Sequence, residues 1–178
     1  LVCGSVMTGV GSKSYWKILW DEINGNEKST GIDVEDMDSQ DTEDIDEMGV
    51  YRAINKCFGI SVVRLGYKPE NTILQKYILD DEQKKAYLFY KCDDEIIRYT
   101  IYMNNKDSSF GQKDLDQFLD EYKIENSNHY ISIEEYDVKD SQENRYIAEF
   151  KYRDIHYQLM GVLKKDEFEE IVKNLIFL

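Results

Sequence analysis

What most constrains the fold of this chain is a change of period near its C-terminus. Residues 155–163 (IHYQLMGVL) alternate as a strand does, and they run directly into residues 166–176 (DEFEEIVKNLI). There, Phe168, Ile171, Val172, Leu175 and Ile176 recur at helical spacing and line one apolar stripe. A strand feeding such a helix hides both stripes only if the helix folds back onto a sheet. The pattern therefore predicts an α+β fold: a mainly antiparallel β-sheet of about six or more strands, with a C-terminal helix from about Asp166 to Ile176 packed on one face.

The strands are legible upstream. Thr72–Leu79, Lys85–Cys92 and Glu95–Met103 are apolar and aromatic runs separated by short polar segments, which predicts an antiparallel meander. Asn128–Tyr136, Arg145–Tyr152 and Ile155–Leu163 form a second set, the last two meeting at a tight turn, Arg153–Asp154, that lacks glycine. Leu115, Phe118, Leu119 and Tyr122 fall at helical spacing and predict a helix crossing between the two sets. Val50–Ile54 and Ile60–Leu65, on either side of Gly59, read as short strands or a strand and turn, and Pro69 marks the corner GYKP at residues 66–69. Depending on register, Tyr99 or Tyr102 faces outward.

The first 49 residues have a different character. Leu1–Gly11 is apolar and uncharged but shorter than the ~20 residues of a membrane span, and reads either as the outer end of a helix that begins further upstream or as an ordinary strand or helix start. Lys13–Ile23 is expected to form a short N-terminal helix carrying Tyr15, Trp16, Leu19, Trp20 and Ile23, stopped at Asn24–Gly25. Glu27–Met48 reads as a mobile connector, and nine carboxylates fall between Asp33 and Glu47 with no base among them. Without those nine, the formal charge of −14 becomes −5. The acidity is thus mostly local, and an acidic surface with scattered bases excludes nucleic acid as the expected partner.

No catalytic, cofactor-binding or metal-binding residue is assigned. Asp36, Asp38, Gln40, Asp44 and Glu47 echo a twelve-residue calcium loop, but Asp41 stands where that loop turns on glycine. His129 and His156 are the only imidazoles, and both lie in expected strands. The pairs Glu134–Glu135 and Glu169–Glu170 and the run Asp93–Glu95 put adjacent carboxylates on diverging directions, which suits solvated charge better than acid–base work. Cys3, Cys57 and Cys92 show no metal spacing and read as apolar filler, with a Cys57–Cys92 bridge left open.

The GYKP corner, the YQLMG strand at residues 157–161 and the acidic helix DEFEEIVKNL at residues 166–175 resemble a family of bacterial extracytoplasmic domains, domain of unknown function 4367, typical of Firmicutes. Lys164 or Lys165 stands where such a helix would carry a Ser, Thr or Asp cap. The resemblance runs from about Val50 to the C-terminus. It implies a single-pass, membrane-anchored protein related to anti-sigma factors or sensors, with residues 1–49 next to the membrane and residues 50–178 forming the outer domain. It carries over no catalytic residue and no cofactor. Its expected partner is an envelope protein or ligand that the sequence does not name, and oligomeric state stays open. The expected function is noncatalytic sensing or interaction outside the membrane. The alternative is a carrier or enzyme holding an apolar or lipid ligand between sheet and helix.

Overall fold

The computed structural model describes residues 45–103 and 116–178. The helix expected over Lys13–Ile23 and the acidic residues 33–44 lie outside the described residues. In chain order the elements are α1 (Glu47–Phe58), β1 (Arg64–Leu65), β2 (Thr72–Asp80), β3 (Lys85–Cys92), β4 (Glu95–Tyr102), β5 (Gln117–Asn126), β6 (His129–Asp137), β7 (Arg145–Tyr152), β8 (Ile155–Val162), α2 (Lys165–Lys173) and β9 (Leu175–Ile176). Seven strands form one antiparallel sheet in the order β2-β3-β4-β8-β7-β6-β5, and β1 pairs with β9 beside it. The fold is α+β, as the sequence predicts.

Three local expectations are corrected. Val50–Ile54 is not a strand but the middle of α1, where Val50, Tyr51, Ile54 and Phe58 share a buried face. Gly59, at φ 71°, ends that helix by donating its N–H to Asn55 O at 2.8 Å, a left-handed cap that glycine adopts freely. The boundary expected between residues 49 and 50 falls inside this helix. Of Ile60–Leu65, only Arg64–Leu65 is strand. The third correction is the expected helix at Leu115–Tyr122: from Gln117 the chain is β5, because β6 offers its backbone a ladder from Gln117↔Asp137 to Asn126↔His129. A bulge between Phe118 and Asp120 puts Phe118, against Tyr136, and Tyr122, against the inner core, on opposite faces of the sheet, so their i, i+4 spacing marks no shared face.

The C-terminal helix is shorter than its apolar stripe. It stops at Lys173, and Leu175–Ile176 leave it to pair with Leu65 and Arg64. Its cap position is Lys164, which makes no side-chain cap bond. At Arg153–Asp154 the turn closes without glycine, both residues taking positive φ, 48° and 62°. Asp is among the residues that tolerate this region, and it supplies the twist a two-residue hairpin needs.

Both helices lie on one face of the sheet, here the inner face. Phe168, Ile171 and Val172 of α2 are wholly buried, and the Phe168 ring stacks on Tyr146 at 5.2 Å. Between the helices, the segment before β1 crosses the central strands, held by Tyr99 Oη donating to Val63 O at 2.8 Å. Tyr99 is therefore the inner tyrosine, and Tyr102, stacked on His156, the outer one. Gly66 donates its N–H to Asn174 O at 3.0 Å, and a methyl group there would press on that carbonyl and on Ile176. Gly66→Ala is expected to cost about 1–3 kcal/mol of stability. An unchanged urea midpoint would show that the corner has room to spare.

Candidate functional site

Two polar clusters hold the helices to the inner face. At the start of α1 the Glu47 carboxylate accepts from Tyr51 Oη at 2.9 Å and Tyr90 Oη at 2.8 Å, and pairs with Lys68. The two phenols lie 3.2 Å apart, and the Leu65 N–H donates to Tyr51 at 3.5 Å. Burial first, then the Glu47 charge, raises the Tyr51 pKa against the lowering effect of the Tyr90 hydrogen bond, and burial, then Tyr51 and the Glu47 charge, raises that of Tyr90, so both rings stay neutral. At the start of α2, Glu135 accepts from Asn144 at 2.7 Å, Tyr146 at 3.1 Å and Lys165 at 2.8 Å. Burial alone would raise the Glu135 pKa, but the three hydrogen bonds prevail and lower it. These clusters convert buried charge into fastening points, each acceptor matched to donors.

The outer face is organised differently. Along one row of the ladder lie Thr100 on β4, Gln158 on β8, Glu149 on β7, Ser132 on β6 and Lys123 on β5, each in register with the next. Arg98, wholly buried, donates from Nη2 to Gln158 Oε1 at 3.0 Å. Gln158 passes the polarity on, donating from Nε2 to Glu149 Oε1 at 2.7 Å. This chain of hydrogen bonds runs from a guanidinium to a carboxylate across three strands, and each bond polarises the next. Apolar and aromatic groups flank it: Phe89 and Met160 on one side, the stacked Tyr102 and His156 on the other. The result is a mixed layer of hydrogen-bonding and aromatic groups in which Arg98, Thr100, Gln158, Phe89, Met160 and Tyr102 are buried, while Glu149 and Lys123 of the row are exposed.

The two histidines do not converge. His129 is sandwiched on the inner face between Phe177 at 4.3 Å and Tyr152 at 5.2 Å, while His156 stacks on Tyr102 at 5.2 Å on the outer face. Glu134 and Glu135 point to opposite faces, as adjacent strand residues must: Tyr136 donates to the first at 2.6 Å, and the second anchors α2. Glu169 and Glu170 sit at the end of α2 near Lys173, at 3.1 and 3.8 Å. Glu47, the last residue of the calcium-loop echo, is engaged by Tyr51, Tyr90 and Lys68. Asp36, Asp38, Gln40, Asp41 and Asp44 lie outside the described residues. Cys57 and Cys92 are free thiols, the first exposed and the second buried. The outer row was missed in sequence although its signal is present, since Arg98 and Thr100 alternate with Ile97, Tyr99 and Ile101.

Glu95 titrates near neutrality. Its carboxyl is pushed up to about 7 by burial first, then by the charges of Asp94 and Glu143. The folded chain thus holds this proton more tightly than the unfolded chain, whose carboxyl keeps the ordinary value of 4.5. Stability from this group is present at low pH and is lost as pH rises between those two values. Glu95→Gln is expected to flatten that slope and to be the more stable form at pH 8. Equal pH slopes of the urea midpoint in both proteins would show that Glu95 does not set it.

The geometry defines an α+β domain whose seven-stranded antiparallel sheet carries helices on its inner face and a polar and aromatic row on its outer face. Residues 62–175 match the family described as a domain of unknown function, DUF4367, and the chain belongs to that family. The match begins after α1 and ends at the first residue of β9, a narrower span than the one expected from Val50. No match was found among curated proteins or among solved structures. No helix among the described residues is long and apolar enough to cross a membrane.

Proposed function

We propose that this chain is a noncatalytic extracytoplasmic sensor or docking domain of a membrane-anchored bacterial protein, of the anti-sigma-like kind that its family resemblance implies. In that organisation the chain is tethered through an upstream segment, and its outer domain meets an envelope protein or ligand. The observation that carries this reading is the division of labour between the two sheet faces. On the inner face, Glu47 and Glu135 are committed to fastening helices, and Phe168, Ile171, Val172, Tyr99 and Tyr157 fill the apolar layer with no exposure. On the outer face, a hydrogen-bonded row leads from the buried Arg98 and Gln158 to Glu149, which is exposed and so offers a partner its carboxylate on a braced strand. The filled inner layer favours docking over carriage of an apolar ligand between sheet and helix.

The test uses the full-length protein in its own cell. Replacing His129, the imidazole on the inner face, by Gln is expected to leave the phenotype intact, while Glu149→Lys, which reverses charge at the centre of the outer row, weakens it. Loss of function from His129→Gln in folded protein, with Glu149→Lys silent, would point to catalysis and overturn the docking reading.

A further inference from the structure

Two strands, β2 and β5, end the seven-stranded sheet, and each has a ladder partner on one side only among the described residues. They are not equivalent. In β2 the bulge falls in the middle of the strand, between Leu74 and Lys76, where it breaks the row of outward backbone groups. In β5 the bulge lies at the start, between Phe118 and Asp120, and Asp120 to Asn126 continue as a regular strand. The two-residue turn Ser127–Asn128, with φ 51° and 65°, is closed by Asn126↔His129. The closing pair of such a hairpin is hydrogen-bonded, and bonded pairs alternate along an antiparallel ladder. Asn126, Ile124 and Tyr122 therefore spend their backbone groups on β6, whereas Glu125, Lys123 and Glu121 turn theirs outward.

We infer that β5 is a homodimer edge, pairing antiparallel with β5 of a second copy about a two-fold axis at Tyr122. In this register Glu121 of each copy lies opposite Lys123 of the other, so the axis generates two opposite-charge pairs, both on the outer face. Shifting the axis by one residue to Glu121 or Lys123 would instead set like charges against each other. Backbone parity agrees with the charges, because Glu121 and Lys123 are the residues whose N–H and C=O groups point outward. The Glu121 and Lys123 side chains are exposed, and at the same edge Phe118 and Leu119 leave 53% and 46% of their surface open. Two seven-stranded sheets would join into one continuous sheet, carrying the outer rows of both copies on the same side.

The full chain at tens of micromolar, followed by sedimentation equilibrium, is expected to be a dimer that weakens as salt is raised. Lys123→Glu should weaken association about ten-fold, and adding Glu121→Lys should restore it, since the swapped charges again face each other. Backbone hydrogen exchange supplies a readout that does not depend on the variants. Protection at Glu121 and Lys123 should rise with protein concentration, while Tyr122 and Ile124, bonded to β6, stay protected throughout. A monomeric wild-type chain, a dimer indifferent to Lys123→Glu, a swap that fails to restore association, or fast exchange at Glu121 and Lys123 at all concentrations would each overturn the inference.

Discussion

Truncating Phe168 to Ala is expected to lower the unfolding free energy by about 3–5 kcal/mol, the range for removing a buried aromatic side chain. Phe168 is wholly buried and stacks on Tyr146, whose hydroxyl is tied to Glu135, the residue that also holds Lys165. The loss therefore combines transferred apolar surface, a cavity between α2 and β7, and a loosened fastening point. Ile171→Ala, on the same face, is expected to cost about 2–5 kcal/mol. Urea unfolding followed by tyrosine near-ultraviolet dichroism checks both. A midpoint unmoved by either change would mean that α2 is not docked on the sheet.

Arg145→Ala should be comparably damaging, by about 3–5 kcal/mol, the cost of breaking a buried ion pair from one side. Arg145 Nη1 meets Asp116 at 2.9 Å, with both side chains nearly out of solvent, and its guanidinium lies 4.6 Å over the Tyr136 ring. The alanine variant removes the cation–π contact and takes the guanidinium away from the largely buried Asp116 carboxylate. The double change Arg145→Met with Asp116→Asn keeps bulk and deletes both charges, so it should recover part of the loss. A double variant no more stable than Arg145→Ala would show that the cost lies in packing and not in the lost ion pair.

The docking reading and the dimer edge engage different surfaces, the outer row and the rim at β5, so their tests fail separately. Glu149→Lys reports on the first without touching the backbone groups of Glu121 and Lys123, and exchange at those two amides reports on the second.

How much of this was legible in the sequence varies along the chain. The six strands with clear runs fall within a residue or so of their expected ends, and α2 was visible from its stripe, because there local period and tertiary environment agree. The candidate surface was much less visible. Arg98 and Thr100 alternate properly with apolar neighbours, but nothing local says that Gln158, sixty residues later, will accept from Arg98 and donate to Glu149. Glu47 looked like the tail of an acidic run. Its role appears only once Tyr51 is one helical turn away and Tyr90 lies beneath it.

By itself, then, the sequence determined which residues must avoid water and with what period, and hence an α+β sheet with a closing helix. Tertiary structure decided what a period cannot express. Phe118 and Tyr122 are strand residues because β6 offers a ladder, on which a bulge sends them to opposite faces, and Val50–Ile54 is helical because the inner face of the sheet takes its apolar stripe. Leu175 and Ile176 continue the stripe of α2 yet leave the helix, since pairing with Leu65 and Arg64 satisfies their backbone outside it. Tyr99 faces in and Tyr102 out for the same reason: strand alternation fixes that they differ, and only the partner packed against the sheet fixes which is which.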